Sequence, residues 1–199
     1  MRRLAVLVCL LALATTVVLS QEKPVTQEKP AIAPAAPANP LSAWNKRAYG
    51  RVKDVLLRTA EKVPEENYSF KPTEAVRSFG QILGHVADAQ YLFCSVVLGE
   101  TNPAPKIEQT KTSKADLIAA LKDAFAYCDK AYDGMTDASA TQTVKFFGND
   151  TPKLGVLTIN NMHNMEHYGN LVTYMRLKGI VPPSSEQAPP PQPKQEPKK

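Results

Sequence analysis

Three histidines are the residues of this chain whose type and spacing could do chemistry. His163 and His167 lie four residues apart in His163-Asn164-Met165-Glu166-His167, inside a stretch, Asn160–Lys178, that reads as helix. Each helical residue turns the chain by about 100°, so a pair at this spacing projects from one face. His85 lies far upstream in a second helical pattern. Imidazole is the commonest metal ligand near neutral pH, and bundle cores build metal sites from side chains on facing helices. The three histidines therefore form a candidate three-nitrogen site. Three protein ligands plus a water is the pattern of catalytic zinc, whereas structural sites close with four. A single histidine on an apolar face is more often a hydrogen-bonded core residue. The metal reading rests on all three falling at inward-facing positions.

Two carboxylates stand close to these histidines in sequence. Glu166 makes the last helix match the H-x-x-E-H pattern of inverted zinc peptidases, with Glu166 as general base. Five-residue patterns recur by chance, and such enzymes need a further acidic ligand downstream, where the chain has only Glu186 and Glu196. Glu166 reads better as a carboxylate that orients a ligating histidine or simply lies at the surface. Asp88, one turn after His85, is a second candidate for that work, with plain solvation as the alternative. No Ser-His-Asp set is available without consuming a ligand, so no catalytic group is assigned beyond water on the metal.

Helices must position these residues. Ser42 is expected to cap a helix reaching about Lys62, with Trp44, Ala48, Val52, Val55, Leu56 and Ala60 as its apolar stripe. A loop over Glu65–Arg77 carries Tyr68 and Phe70 as anchors. Ser78-Phe79-Gly80-Gln81 fits a capping box and opens the helix that carries His85, with Gly99 as its stop. Ser113 caps a third helix ending near Asp133-Gly134. Thr136 to Pro152 reads as an ordered loop, because the strand-like Thr143–Phe147 run has no evident partner. Thr151-Pro152 then offers a cap and a first-turn proline for the last helix, which runs through Leu157, Met162, Met165, Leu171, Val172 and Met175 to Gly179. Four long helices with little strand pattern predict an all-α four-helix bundle. Cys94 and Cys128 both lie late in their helices. Antiparallel neighbours would separate them, but the 13-residue loop Glu100–Thr112 can span a bundle length and make the helices parallel. A Cys94–Cys128 disulfide is the expectation.

The ends differ in kind from this domain. Met1-Arg2-Arg3 precedes an apolar run to Leu19, and Ser20 offers a cleavage point, which reads as a secretory signal over residues 1–20. The run is short for a membrane span, although an uncleaved anchor stays open. Export to the periplasm or beyond is the expected localisation. Losing Arg2 and Arg3 takes the formal charge from +5 to +3. Twelve of the 17 prolines fall in residues 21–40 and 182–199. Such segments bury too little apolar surface to offset chain entropy, so residues 21–40 read as a linker and 186–199 as a tail. The folded part is 41–185. Its charges are interspersed, without the basic stripe that marks nucleic-acid binding.

Gln81-Ile82-Leu83-Gly84-His85-Val86-Ala87-Asp88-Ala89 and His163-Asn164-Met165-Glu166-His167-Tyr168-Gly169-Asn170-Leu171 together resemble the DinB-like family. The ending Tyr174-Met175-Arg176-Leu177-Lys178-Gly179-Ile180-Val181-Pro182-Pro183-Ser184 is similar as well. The resemblance covers about residues 41–185 and implies a four-helix bundle of that type with long crossover loops. It also implies a divalent-metal site of one histidine on the second helix and an H-x3-H pair on the last, corresponding here to His85, His163 and His167. Family members with assigned reactions are often thiol-dependent transferases or isomerases. Low-molecular-weight thiols are chiefly cytosolic, so an exported member is expected to be a hydrolase, a transferase of another kind, or a non-catalytic module that binds metal or a small ligand. Zinc or nickel is the expected ion, although three histidines suit copper and iron as well. A small-molecule substrate and a homodimer are the partners this reading allows.

Overall fold

The computed structural model describes residues 38–186. The signal segment 1–20 with Cys9, the linker up to residue 37 and the tail beyond Glu186 lie outside the described residues. Four long helices, α1 (Pro40–Lys62), α2 (Phe79–Leu98), α4 (Lys114–Asp133) and α6 (Lys153–Leu177), make the bundle. Between them lie α3 (Ile107–Thr110), α5 (Asp137–Ala140) and an antiparallel hairpin of β1 (Thr143–Phe146) and β2 (Asn149–Pro152).

Helix directions follow from which ends meet. Leu117, early in α4, lies 3.2 Å from where Gly80, early in α2, would carry a Cβ. The late residues Cys94 and Cys128 face each other with Cα atoms 5.3 Å apart. Helices α2 and α4 are therefore parallel, and the connection between them crosses the length of the bundle. The cysteine pair is within disulfide reach. Lys46 pairs with Asp133 and Glu61 with Lys122, so α1 runs antiparallel to α4. Helix α6 runs antiparallel to α2, with His85 beside His163 and Gln90 beside Asn160.

The expected caps at α2 and α4 are present. Ser78 and Gln81 exchange both capping-box bonds, Ser113 accepts from the Asp116 amide, and Gly99 closes α2 at φ 73°. Elsewhere the ends are made differently. Helix α1 starts at Pro40, and Ser42 does not cap it. Its free amides at Leu41 and Ser42 instead donate to the carboxylate of Asp137, which also accepts from the Ser42 hydroxyl. An acid at a helix N-terminus satisfies orphan donors and complements the dipole. Thr151 pairs with Val144 in the hairpin, and Pro152, not Thr151, occupies the cap position of α6, without a side-chain bond.

The segment expected to be a loop is thus α5 plus the hairpin. Phe147 and Gly148 form its two-residue turn with φ of 46° and 81°, the type I′ geometry that matches strand twist. Phe146 is buried there and packs on Phe93 at 5.3 Å between ring centroids. The strand's partner was its own immediate continuation.

Trp44 departs from the expected stripe of α1, being 67% exposed, and Met162 and Met165 also point outward. Tyr68 is buried with its hydroxyl donating to the Ala60 carbonyl, as the anchor reading requires. A layer of amides crosses the core. Gln90, Asn160 and Asn164 are fully buried and bonded to one another, and Asn160 also donates to the Tyr132 hydroxyl. A satisfied buried network is specific in its geometry, so it holds α2 and α6 in one register.

Candidate metal centre

That register brings the three histidines together. Gln90 lies five positions after His85 and Asn160 three before His163, so the amide bonds leave the histidine rings one layer away and facing. His85 Nε2 lies 3.0 Å from His163 Nε2, and His167 Nε2 lies 3.1 Å from the same atom. The potential ligand atoms of all three fall within 4.8 Å of one another. Among the described residues this is the group of histidine, cysteine and acidic side chains that could hold a metal.

Burial keeps these rings neutral. The pKa of His163 is pushed down to about 3, first by burial and then by the neighbouring His167 and His85. His85 is lowered by burial and by the Arg77 cation, against an opposing pull from Glu108. His167 is lowered by burial and by His85. Ligating imidazole must be deprotonated, and here the fold itself suppresses protonation.

A residue unmarked by the motifs supports His85. Glu108 Oε2 lies 3.3 Å from His85 Nδ1, and its other oxygen accepts from Arg77 Nε at 2.9 Å. Glu108 sits on α3, a single turn whose backbone presses against α2 at Gly84: a Cβ there would come 2.7 Å from the Glu108 Cα. Asp88 fixes the same turn by accepting from the Ile107 and Glu108 amides at 2.7 and 2.9 Å. Asp88 therefore acts on the centre through Glu108. The available sequence signal was Gly84, a glycine inside a helical pattern next to His85, which permits close backbone approach without requiring it, since Gly50 and Gly169 are equally interior and have nothing within 4 Å of a Cβ.

Glu166 is exposed and makes no side-chain hydrogen bond to a histidine among the described residues. The neighbour of His167 Nδ1 is the Asn170 amide at 3.4 Å. Glu186, a candidate downstream acid for the peptidase pattern, is held in ion pairs with Lys62 and Arg58. Glu196 lies outside the described residues.

The donor set fits a divalent ion. A neutral imidazole carries one N–H and one lone pair. With the His85 Nδ1 proton held by Glu108, its Nε2 presents a lone pair. His167 does the same when the Asn170 amide turns its oxygen to Nδ1, an orientation that the hydrogen-bond network decides. His163 Nε2 can supply at most one proton to two such neighbours, and its buried Nδ1 has no hydrogen-bond partner among the described residues. A cation shared by three lone pairs removes the conflict. Nitrogens 3.0 and 3.1 Å apart can share one ion at the roughly 2.0–2.1 Å of zinc–imidazole bonds.

The centre has two approaches. His85 and His163 form part of the wall of a cleft of about 760 Å³, otherwise largely apolar, with Leu92, Phe93, Ile159 and Met162. His167 faces a second depression of about 770 Å³ with Arg77, Glu108, Asn170 and Tyr174. Glu166 borders both.

Comparison with known proteins agrees with this architecture. The DinB superfamily model matches residues 48–171. YjoA of Bacillus subtilis is 25% identical over 130 residues, covering 64% of this chain and 84% of that protein. Its crystal structure, described as DinB-like, superposes with a TM-score of 0.59 at 23% identity, covering 73% of this chain and 99% of the other. A DinB-like protein from Bacillus cereus gives a TM-score of 0.63 at 18% identity, covering 70% and 93%. These two structures share the fold. The chain belongs to the DinB superfamily.

Proposed function

We propose that this protein is a metal-dependent enzyme of hydrolase or transferase type, with one divalent ion held by His85, His163 and His167. The observation that carries the reading is the convergence of three neutral imidazole nitrogens, two contacts of 3.0 and 3.1 Å on His163 Nε2. When bound, the ion supplies Lewis acidity, polarising a substrate oxygen or lowering the pKa of a water. The chain does the rest. Glu108 accepts the Nδ1–H of His85 as a hydrogen bond, which keeps the proton on Nδ1 and leaves Nε2 free, while Arg77 holds Glu108 in place. The Phe93 ring packs edge-on against His163 at 5.5 Å and fixes its plane. Glu166, exposed where the two approaches meet, can carry a proton between the site and bulk water. The basic and apolar start of the chain supports action outside the cytoplasm, which favours a reaction without a cytosolic thiol.

Metal analysis of protein purified without a histidine tag and offered zinc, nickel or manganese is the test. One equivalent per chain is expected, and His167→Ala should abolish it. Negligible uptake of all three metals, or unchanged affinity in His167→Ala, would overturn the assignment.

A further inference from the structure

The tip of the hairpin breaks two local rules at once. Phe147 occupies the first central position of a type I′ turn, at φ 46°, where asparagine or glycine is strongly favoured. A bulky side chain in the left-handed region is strained. Its ring is also 73% exposed, although Phe146 beside it is buried. Among the described residues its one aromatic contact is with Phe146, and most of the ring stays open to solvent. Phe147 stands at the rim of the apolar cleft that the histidines border. It joins an aromatic series that leads to the centre: Phe147 on Phe146 at 4.3 Å, Phe146 on Phe93 at 5.3 Å, and Phe93 on His163 at 5.5 Å.

Leu92, Ile159 and Met162, which line the same cleft, are exposed by 38%, 39% and 67%. The polar groups around it are partly spent. Both carboxylate oxygens of Asp88 accept from the α3 backbone, and Asn102 accepts from the Ala104 amide. What remains, beside the charged groups of Lys106 and Glu166, is a largely apolar cleft with His85 and His163 in its wall. Its volume of about 760 Å³ falls in the range of small-molecule sites, roughly 300–1,000 Å³.

We propose that this cleft takes the apolar tail of a small amphiphile whose metal-binding head sits at the three-histidine centre, with Phe147 closing over the tail. The substrate class is then a molecule with an alkyl or aryl body and an oxygen-bearing head such as an ester, amide or acid. The proposal rests on the metal reading above and narrows it.

The test uses straight-chain alkyl hydroxamates, from acetohydroxamate to octanohydroxamate, titrated calorimetrically into the zinc-loaded protein. Affinity should rise about fourfold per added methylene until the cleft is filled. Phe147→Asn should weaken octanohydroxamate about tenfold, leave acetohydroxamate unchanged, and raise or preserve the melting temperature because asparagine suits the turn. Ile159→Asp should flatten the chain-length dependence. Zinc uptake with acetohydroxamate binding but no gain along the series would overturn the cleft proposal alone. Loss of stability in Phe147→Asn with unaltered octanohydroxamate binding would assign Phe147 to the fold instead and also overturn it. Failure to take up zinc would overturn the metal reading and this proposal together.

Discussion

Gly84 and Glu108 meet backbone to backbone, so closely that a Cβ on residue 84 would lie 2.7 Å from the Glu108 Cα. This contact lets one turn of helix, α3, lie flat on α2 and hold a carboxylate against His85. Replacing Gly84 by Ala must push α3 away, since the obstructing atoms are backbone. Metal affinity should fall about tenfold. Gly50→Ala is the contrasting variant: nothing lies within 4 Å of the position a Cβ would take there, and Gly50 is interior to α1. That change should stabilise the protein by about 0.5–1 kcal/mol. Calorimetric metal titration and urea unfolding of both variants check the pair.

Asp88 and Glu108 should behave as one unit. Asp88 holds the α3 amides and Glu108 holds the His85 ring. Glu108→Ala should weaken metal binding by about 10–100-fold, and Asp88→Ala by somewhat less. The double variant should be little worse than Glu108→Ala, because both carboxylate oxygens of Asp88 are engaged by the α3 amides that place Glu108. Additive losses in a double-mutant cycle would contradict this chain of action.

Acid should destabilise the metal-free protein through its histidines. His163 has a folded pKa pushed down to about 3 by burial and by its two neighbours. The unfolded chain takes the proton first, near the ordinary value of about 6.5. The neutral folded ring therefore contributes stability above about 6.5 that is lost progressively as pH falls toward about 3. His85 and His167, also lowered, act in the same direction. Urea midpoints between pH 7.5 and 4 should fall in the parent and fall less in His163→Asn.

Reduction should cost the protein stability. Cys94 and Cys128 are separated by 34 residues in sequence and lie within disulfide reach. Closing a loop of that length is worth about 3–4 kcal/mol on the chain-entropy model. Intact mass should rise by about two daltons on reduction, one hydrogen per sulfur. No mass change, or an unfolding midpoint indifferent to reductant, would show two free thiols instead.

Much of this molecule was legible locally. The capping box at Ser78 and Gln81, the stop at Gly99 and the Ser113 cap involve residues within a few positions of one another, where helix geometry alone dictates contact. The shared face of His163 and His167 follows from the same 3.6-residue period. The bundle itself follows from four apolar helical stripes. Trp44 misled because a periodic stripe says which residues align and leaves open how wide a band the neighbours cover.

Tertiary structure decided what joins distant segments. The antiparallel packing of α2 and α6, locked by Gln90 with Asn160 and Asn164, brings His85 to the pair on α6. The parallel course of α2 and α4 brings Cys94 to Cys128. Glu108 reaches His85 only because a crossover lays α3 over Gly84, and Asp137 caps α1 from 96 positions away. Periodicity and capping act over one or two turns of chain, so the sequence by itself determined the four long helices and the face of the last that carries the histidine pair, and left the single turns α3 and α5 as loop. Helix direction and register depend on the summed packing of all four helices, and these built the centre.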